Sequence, residues 1–410
     1  MVLSGLAGLV SPDGSRDGAP GAALASGVAA ASDRDPADAE REAATAGFLR
    51  ELGVAFERGG ARAARALAGP LAARRLAAAV ARNVARLDVD GLDLRRVAEA
   101  PATADLVSRF GAATWVAEVE VVWRYAGIDR RSVSSTVELV LTRGEDGATL
   151  DDIRPAFGEQ APTWLLEPLT VRRRDHVRVA ASDPTTASRL LAQAARAVTV
   201  VDRRLPAWRG DLVVEAPASV AGFRAASGLT PAAARSIAAV TTTADGATLP
   251  GSPERVFVNP EVFEPLGAAG QQIVISHEAT HVAVDAAVSR MPAWLSEGFA
   301  DWVALADSTV AVRVLATQAL AGVRARGAPP HLPTRADFAA GNPDIGAAYE
   351  SAWLAVRLLA RTYGEAALLR FRRAADVQGS VDRAFRSTFG TSDQAFTRLW
   401  RGELVRLARG

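Results

Sequence analysis

Residues 273–284 read IVISHEATHVAV, an apolar run of helical length broken by one polar pentad, His277-Glu278-Ala279-Thr280-His281. Positions i and i+4 of a helix share one face, so both imidazoles can meet one metal ion. Glu278, one position round, can then reach a water bound to that ion. With four His and 20 Glu in 410 residues, chance supplies H-E-x-x-H only about 0.002 times. The flanking Ile, Val and Ala predict a dry helix, which strengthens the effect of a metal's charge on its water. A core helix with two hydrogen-bonded histidines is the competing reading, and a third ligand decides between them.

Fifteen residues separate His281 from Glu297 in the next informative stretch, MPAWLSEGFADWVAL at residues 291–305. Pro292 predicts a helix start, after which Glu297 and Asp301 stand at i and i+4 and offer two carboxylates from one face. If Glu297 ligates the metal, Asp301 lies one turn on and can accept the free N–H of a ligating imidazole, which fixes its tautomer.

His277, Glu278, His281, Glu297 and Asp301, with the text WLSEGFADW, resemble the gluzincin metallopeptidases, the wider group of thermolysin and the aminopeptidases of its clan. The order of strand, H-E-x-x-H helix, Pro-x-Trp-Leu-x-Glu-Gly helix, Ala-Tyr-x-x-Ser and helical tail is similar to the compact peptidase-MA-like domains. This likeness covers about residues 185–409. It implies that His277, His281 and Glu297 bind Zn2+, that Glu278 is the general base, and that Asp301 supports His277. The implied fold is α+β: a small mixed sheet, the H-E-x-x-H active-site helix and a helical C-terminal subdomain.

Two departures refine what the resemblance implies. The His281-to-Glu297 gap is several residues shorter than in thermolysin. No Gly-x-Met-Glu-Asn segment precedes the helix, and since that segment anchors a free amine in the aminopeptidases, an endopeptidase is implied. The edge-strand position is taken by Arg255–Asn259 (RVFVN), where a peptide substrate would pair as an added strand beside Arg255, Phe257 and Asn259. Trp294 flanks the ligand helix and is a candidate for the pocket wall. For the oxyanion that builds during amide attack, Tyr349 and His331 compete as donor. His176 reads as a solvated strand residue. The rival function is a non-catalytic, metal-stabilised binding module at the cell envelope, and retention of Glu278 argues against it, because a structural zinc needs no base.

The remaining sequence sets the frame. Forty-seven basic side chains, all Arg, meet 46 acidic ones for a net charge of +1, which gives no field to hold nucleic acid. Cysteine is absent, which excludes thiolate metal sites and disulfides. Residues 1–39 are expected to be a flexible segment. Their apolar start leaves open a membrane tether and an extracytoplasmic or membrane-associated location beside a cytoplasmic one. Residues 40–182 are expected to form an α+β accessory domain. Its helices break at Gly59-Gly60 and Gly69-Pro70, a hairpin follows from Trp115–Tyr125 and Ser132–Thr142, and a third strand runs over Leu169–Ala180. On element order this domain resembles the cone fold of nuclear-transport-factor-like proteins. Residues 183–410 form the second, metallopeptidase-like domain, and the oligomeric state is left open.

Overall fold

A computed structural model of the chain describes residues 36–58, 60–144 and 147–410. It is mixed α/β and divides into two compact units. Among the described residues the first holds 36–126 and 132–168, and the second holds Leu169–Gly410 with the segment Gly127–Arg131. No described helix is long and apolar enough to cross a membrane.

In the first unit, helices Pro36–Glu57, Ala61–Ala66 and Leu71–Leu87 precede a four-stranded antiparallel meander. Its strands are β1 (Val89–Ala100), β2 (Thr114–Tyr125), β3 (Val133–Gly144) and β4 (Gly147–Pro155), in that spatial order. The helix breaks fall beside the predicted glycines, and β2 and β3 form the predicted hairpin. From Val119 to Tyr125 every second β2 side chain is buried, which is the period-2 pattern that identified the strand. The first helix starts at Pro36, so the expected flexible segment overlaps it by residues 36–39; residues 1–35 lie outside the described residues.

The second unit is built on a five-stranded mixed sheet: β5 (Thr170–Arg174), β6 (Val177–Ala181), β7 (Leu212–Ala216), β8 (Ala239–Thr243) and β9 (Glu254–Val258), in the order β5-β6-β7-β9-β8. Strands β6, β7 and β9 run parallel, and helix Pro184–Asp202 makes the crossover from β6 to β7. Asp183 caps that helix by accepting from the amides of Thr185 and Thr186, both at 2.9 Å.

Two expectations are corrected here. The strand predicted over Leu169–Ala180 is a pair, β5 and β6, and belongs to the second sheet, so the division between units falls at Pro168 rather than at residue 182. Its Arg-rich half is the solvated edge strand β5, and its apolar half is buried against β7.

The strand Arg255–Asn259 is not an edge. β9 is hydrogen-bonded to β7 on one side and β8 on the other, so no peptide can add there. Arg255 is buried and ion-paired with Asp129. Phe257 packs into a small core with Phe223, Ile237 and Val240. The Asn259 amide donates to the carbonyls of Ala234 and Ile237 at 2.7 and 3.0 Å. The free edge is β8, the one antiparallel strand on that side of the sheet.

Everything beyond Gly267 is helical or irregular. Three helices matter for the site: the histidine helix Gly267–Ala283, the carboxylate helix Ala293–Ala304 and the tyrosine helix Ile345–Tyr363. The last two pack backbone to backbone. A Cβ added at Gly298 would overlap the Ala352 carbonyl and press on Val356. Glycine next to Glu297 therefore lets the tyrosine helix approach closely, with Tyr349 one turn before the contact.

Candidate metal centre

His277 and His281 stand one turn apart on the histidine helix, and their Nε2 atoms lie 2.9 Å from each other. Across from them, Glu297 brings Oε2 to 3.2 Å from the first nitrogen and 3.4 Å from the second. Among the described residues this is the group of His and carboxylate atoms close enough to share a cation. It can hold a metal ion, as the sequence spacing predicts.

The chemistry of the donor set supports that fit. Asp301 Oδ1 lies 2.9 Å from His277 Nδ1, so that nitrogen donates to Asp301 and Nε2 is turned toward a second imidazole nitrogen and a carboxylate oxygen. Three such atoms lie this close only with a positive centre among them, either a proton on an imidazole or a metal ion bound in its place. Ligands at about 2.0–2.1 Å in a tetrahedron stand about 3.3 Å apart, close to the observed edges.

None of His277, Glu278, His281, Glu297, Asp301 and Tyr349 is more than 1% exposed. At such burial the neighbours decide each charge. Burial raises the Glu297 carboxyl, but His281 and His277 outweigh it and hold the group at about 2. Burial lowers His277, yet Asp301 and Glu297 carry it well above its ordinary value. For Asp301 and Glu278 burial wins over the neighbouring imidazoles, and both rise. Burial, then the carboxylates of Glu297, Asp301 and Glu278, push the Tyr349 phenol well above its usual range, so it remains a neutral donor.

Glu278 is held by a residue that the sequence did not single out. Thr241, on the free edge strand β8, places its hydroxyl 2.7 Å from Glu278 Oε2 and 3.1 Å from the Glu278 backbone carbonyl. Glu278 Oε1 has no hydrogen-bond partner among the described residues. One carboxylate oxygen is thus anchored and the other is free to exchange a proton. The only trace of this in the sequence is the alternation of β8, which turns Val240 into the small core and Thr241 toward the histidine helix.

The other predicted residues divide. Tyr349 comes to the centre, with its ring 6.2 Å from that of His277 and edge-on to Phe338 at 5.0 Å. His331 does not; it is exposed, with Nδ1 3.0 Å from the Leu332 carbonyl oxygen. Trp294 is buried and stacked on Phe396 at 6.3 Å, within the main core. His176 is exposed as expected, beside Asp211 at 3.0 Å, but it stands in the turn between β5 and β6 rather than on a strand.

No protein family matches the chain, and no curated protein matches it. The likeness to gluzincins therefore stands on the residues themselves.

Proposed function

We propose that the chain is a zinc-dependent peptide hydrolase of gluzincin type that cuts within peptide chains, with His277, His281 and Glu297 as ligands and Glu278 as general base. The observation that carries this reading is the free Oε1 of Glu278, one helix position from His277, with its partner oxygen tied to Thr241. Two imidazole nitrogens and one carboxylate oxygen are a donor set of catalytic zinc. When bound, the ion would supply Lewis acidity and lower the pKa of its water toward about 7.

The chain's own residues do the rest. Glu278 takes a proton from the water as its oxygen bonds to the scissile carbonyl carbon, then delivers that proton to the amide nitrogen as the C–N bond breaks. The carboxylate ends as it began. Asp301 keeps the His277 proton on Nδ1. The Tyr349 phenol donates to the carbonyl oxygen as negative charge builds there.

Zinc-loaded protein is expected to cleave an unstructured peptide library, to stop on chelation and to resume on zinc addition; no cleavage with zinc bound would remove the hydrolytic reading. In the same assay Thr241→Val should lower kcat about 10-fold with zinc content unchanged, since a hydrogen bond to a charged group contributes about 1.5–3 kcal/mol. Thr241→Ser, which keeps the donor, should restore it, and a Ser variant as slow as Val would deny Thr241 this role.

Tyr349→Phe keeps the buried ring and deletes the hydroxyl. A donor engaged only in the transition state should then cost about 100-fold in kcat, with little change in KM or thermal stability. An unchanged kcat would make Tyr349 a packing residue.

One observation favours the second reading, a metal-stabilised binding module: the centre is no more than 1% exposed. The two readings part on Glu278, which a structural metal site would not require.

A further inference from the structure

The second unit contains a cavity of about 660 Å³ beside the C-terminal end of the histidine helix, and its position on that helix is informative. Val282, in its wall, follows Glu278 by four residues, so it continues the face of the proposed base by one turn, about 5.4 Å. Glu278 is buried and Val282 half-buried, so this face of the helix opens toward solvent at the cavity.

Six arginines line the cavity against four carboxylates. Three of the six are engaged: Arg255 with Asp129, Arg209 with Asp211, and Arg204 with Glu365. Of the remaining three, Arg130 and Arg372 are drawn by Asp285, and Arg372 by Asp376 as well. Burial, then Asp285, push Glu254 well up, and six arginines against four carboxylates leave the lining net basic.

Arg372 forms the floor. It is 8% exposed, its Nε has no hydrogen-bond partner among the described residues, and its guanidinium lies 5.6 Å from the ring centre of Phe299. Phe299 stands two residues after Glu297 on the carboxylate helix, so the same helix that offers a metal ligand also backs this arginine. Nearby Asp376, the acid whose charge acts most on Arg372, makes its hydrogen bonds elsewhere, accepting from the Ser289 hydroxyl and the Arg290 amide. Arg130 and Arg373 are exposed and stand at the rim. A guanidinium backed by a ring, with rim cations beside it, suits the planar fork of a carboxylate.

We propose that this cavity is a carboxylate-binding subsite, floored by Arg372, and that the substrate is a peptide with a free carboxylate within about two residues of the bond that breaks, the distance an extended chain needs to span one helical turn. The subsite itself stands without the hydrolytic reading; its link to the substrate rests on that reading. The carboxylate that fits cutting within a chain is an acidic side chain; a preference for the C terminus instead would replace internal cutting by trimming from the end.

Three labelled Ala-rich hexapeptides separate these sources when titrated into the full-length Glu278→Gln protein with zinc. One carries a Glu and an amidated end, one a Gln and a free end, and one a Gln and an amidated end. At least one of the first two is expected to bind about 10-fold tighter than the third. Arg372→Met should erase that difference and Arg372→Lys recover part of it, and the exposed Arg373→Gln should reduce it about 3-fold even if the floor variants fold poorly. Equal binding of all three peptides, or equal weakening of all three by Arg372→Met with none by Arg373→Gln, would overturn the subsite. If the arginine-dependent preference holds while wild-type protein cleaves none of the peptides, the subsite stands and hydrolysis falls. Wild-type cleavage of the neutral peptide as fast as the acidic ones has the opposite meaning.

Discussion

Glu278→Gln is expected to keep its metal and to lose peptide hydrolysis by about 10²–10⁴-fold, the usual contribution of a positioned acid–base group. The substitution preserves shape and leaves an oxygen for the Thr241 hydroxyl, so the fold has no reason to change. What disappears is the proton acceptor at Oε1. Because the side chain touches neither Nε2 atom nor Glu297 in the hydrogen-bond pattern, zinc binding should stay near wild type. A Glu278→Gln protein as active as wild type would move the chain to the non-catalytic reading.

Glu297→Ala should behave in the opposite order, losing the metal first and activity with it. The carboxylate held at about 2 by two imidazoles is the anionic member of the donor set, and without it only the two imidazole nitrogens remain. Metal-dependent stabilisation should go too: a ligand at about 100 times its Kd adds about 2.7 kcal/mol to folding, which appears as a rise in Tm on zinc addition. That rise should be absent in Glu297→Ala and present in Glu278→Gln. Asp301→Asn should fall between them, with metal affinity lowered about 10 to 100-fold, because it changes the partner of His277 and not a ligand. Equal zinc loss in Glu297→Ala and Glu278→Gln would contradict this separation of roles.

What the sequence made legible was governed by periodicity. The i, i+4 spacing of His277 with His281, and of Glu297 with Asp301, fixes faces on two helices, and the four side chains do meet. The β2–β3 hairpin was visible because its valines and aromatics alternate. β1 went unseen for the converse reason: of its 12 residues only Leu92 is buried, and the strand is held partly by charge pairs such as Arg124–Asp90 and Arg95–Glu120. Aspartates hid β4, whose Asp151 and Asp152 are poor strand formers beside a register shift.

The order of strands in a sheet is a non-local property, and there the sequence misled. RVFVN reads as a strand equally well at an edge or inside, and only pairing with both β7 and β8 shows it to be interior. The same misplacement hid Thr241, since the strand that reaches Glu278 is β8. Trp294 and His331 show a further limit: neighbours in sequence of a ligand or a proline-rich loop need not face the site.

Zinc per chain, measured by mass spectrometry after exhaustive dialysis and set beside hydrolysis for wild type, Glu278→Gln and Glu297→Ala, tests the central claim most directly. The predicted result is about one zinc and full activity for wild type, about one zinc and almost no activity for Glu278→Gln, and neither for Glu297→Ala. Wild-type protein that holds no zinc, or Glu297→Ala protein that holds as much as wild type, would contradict it.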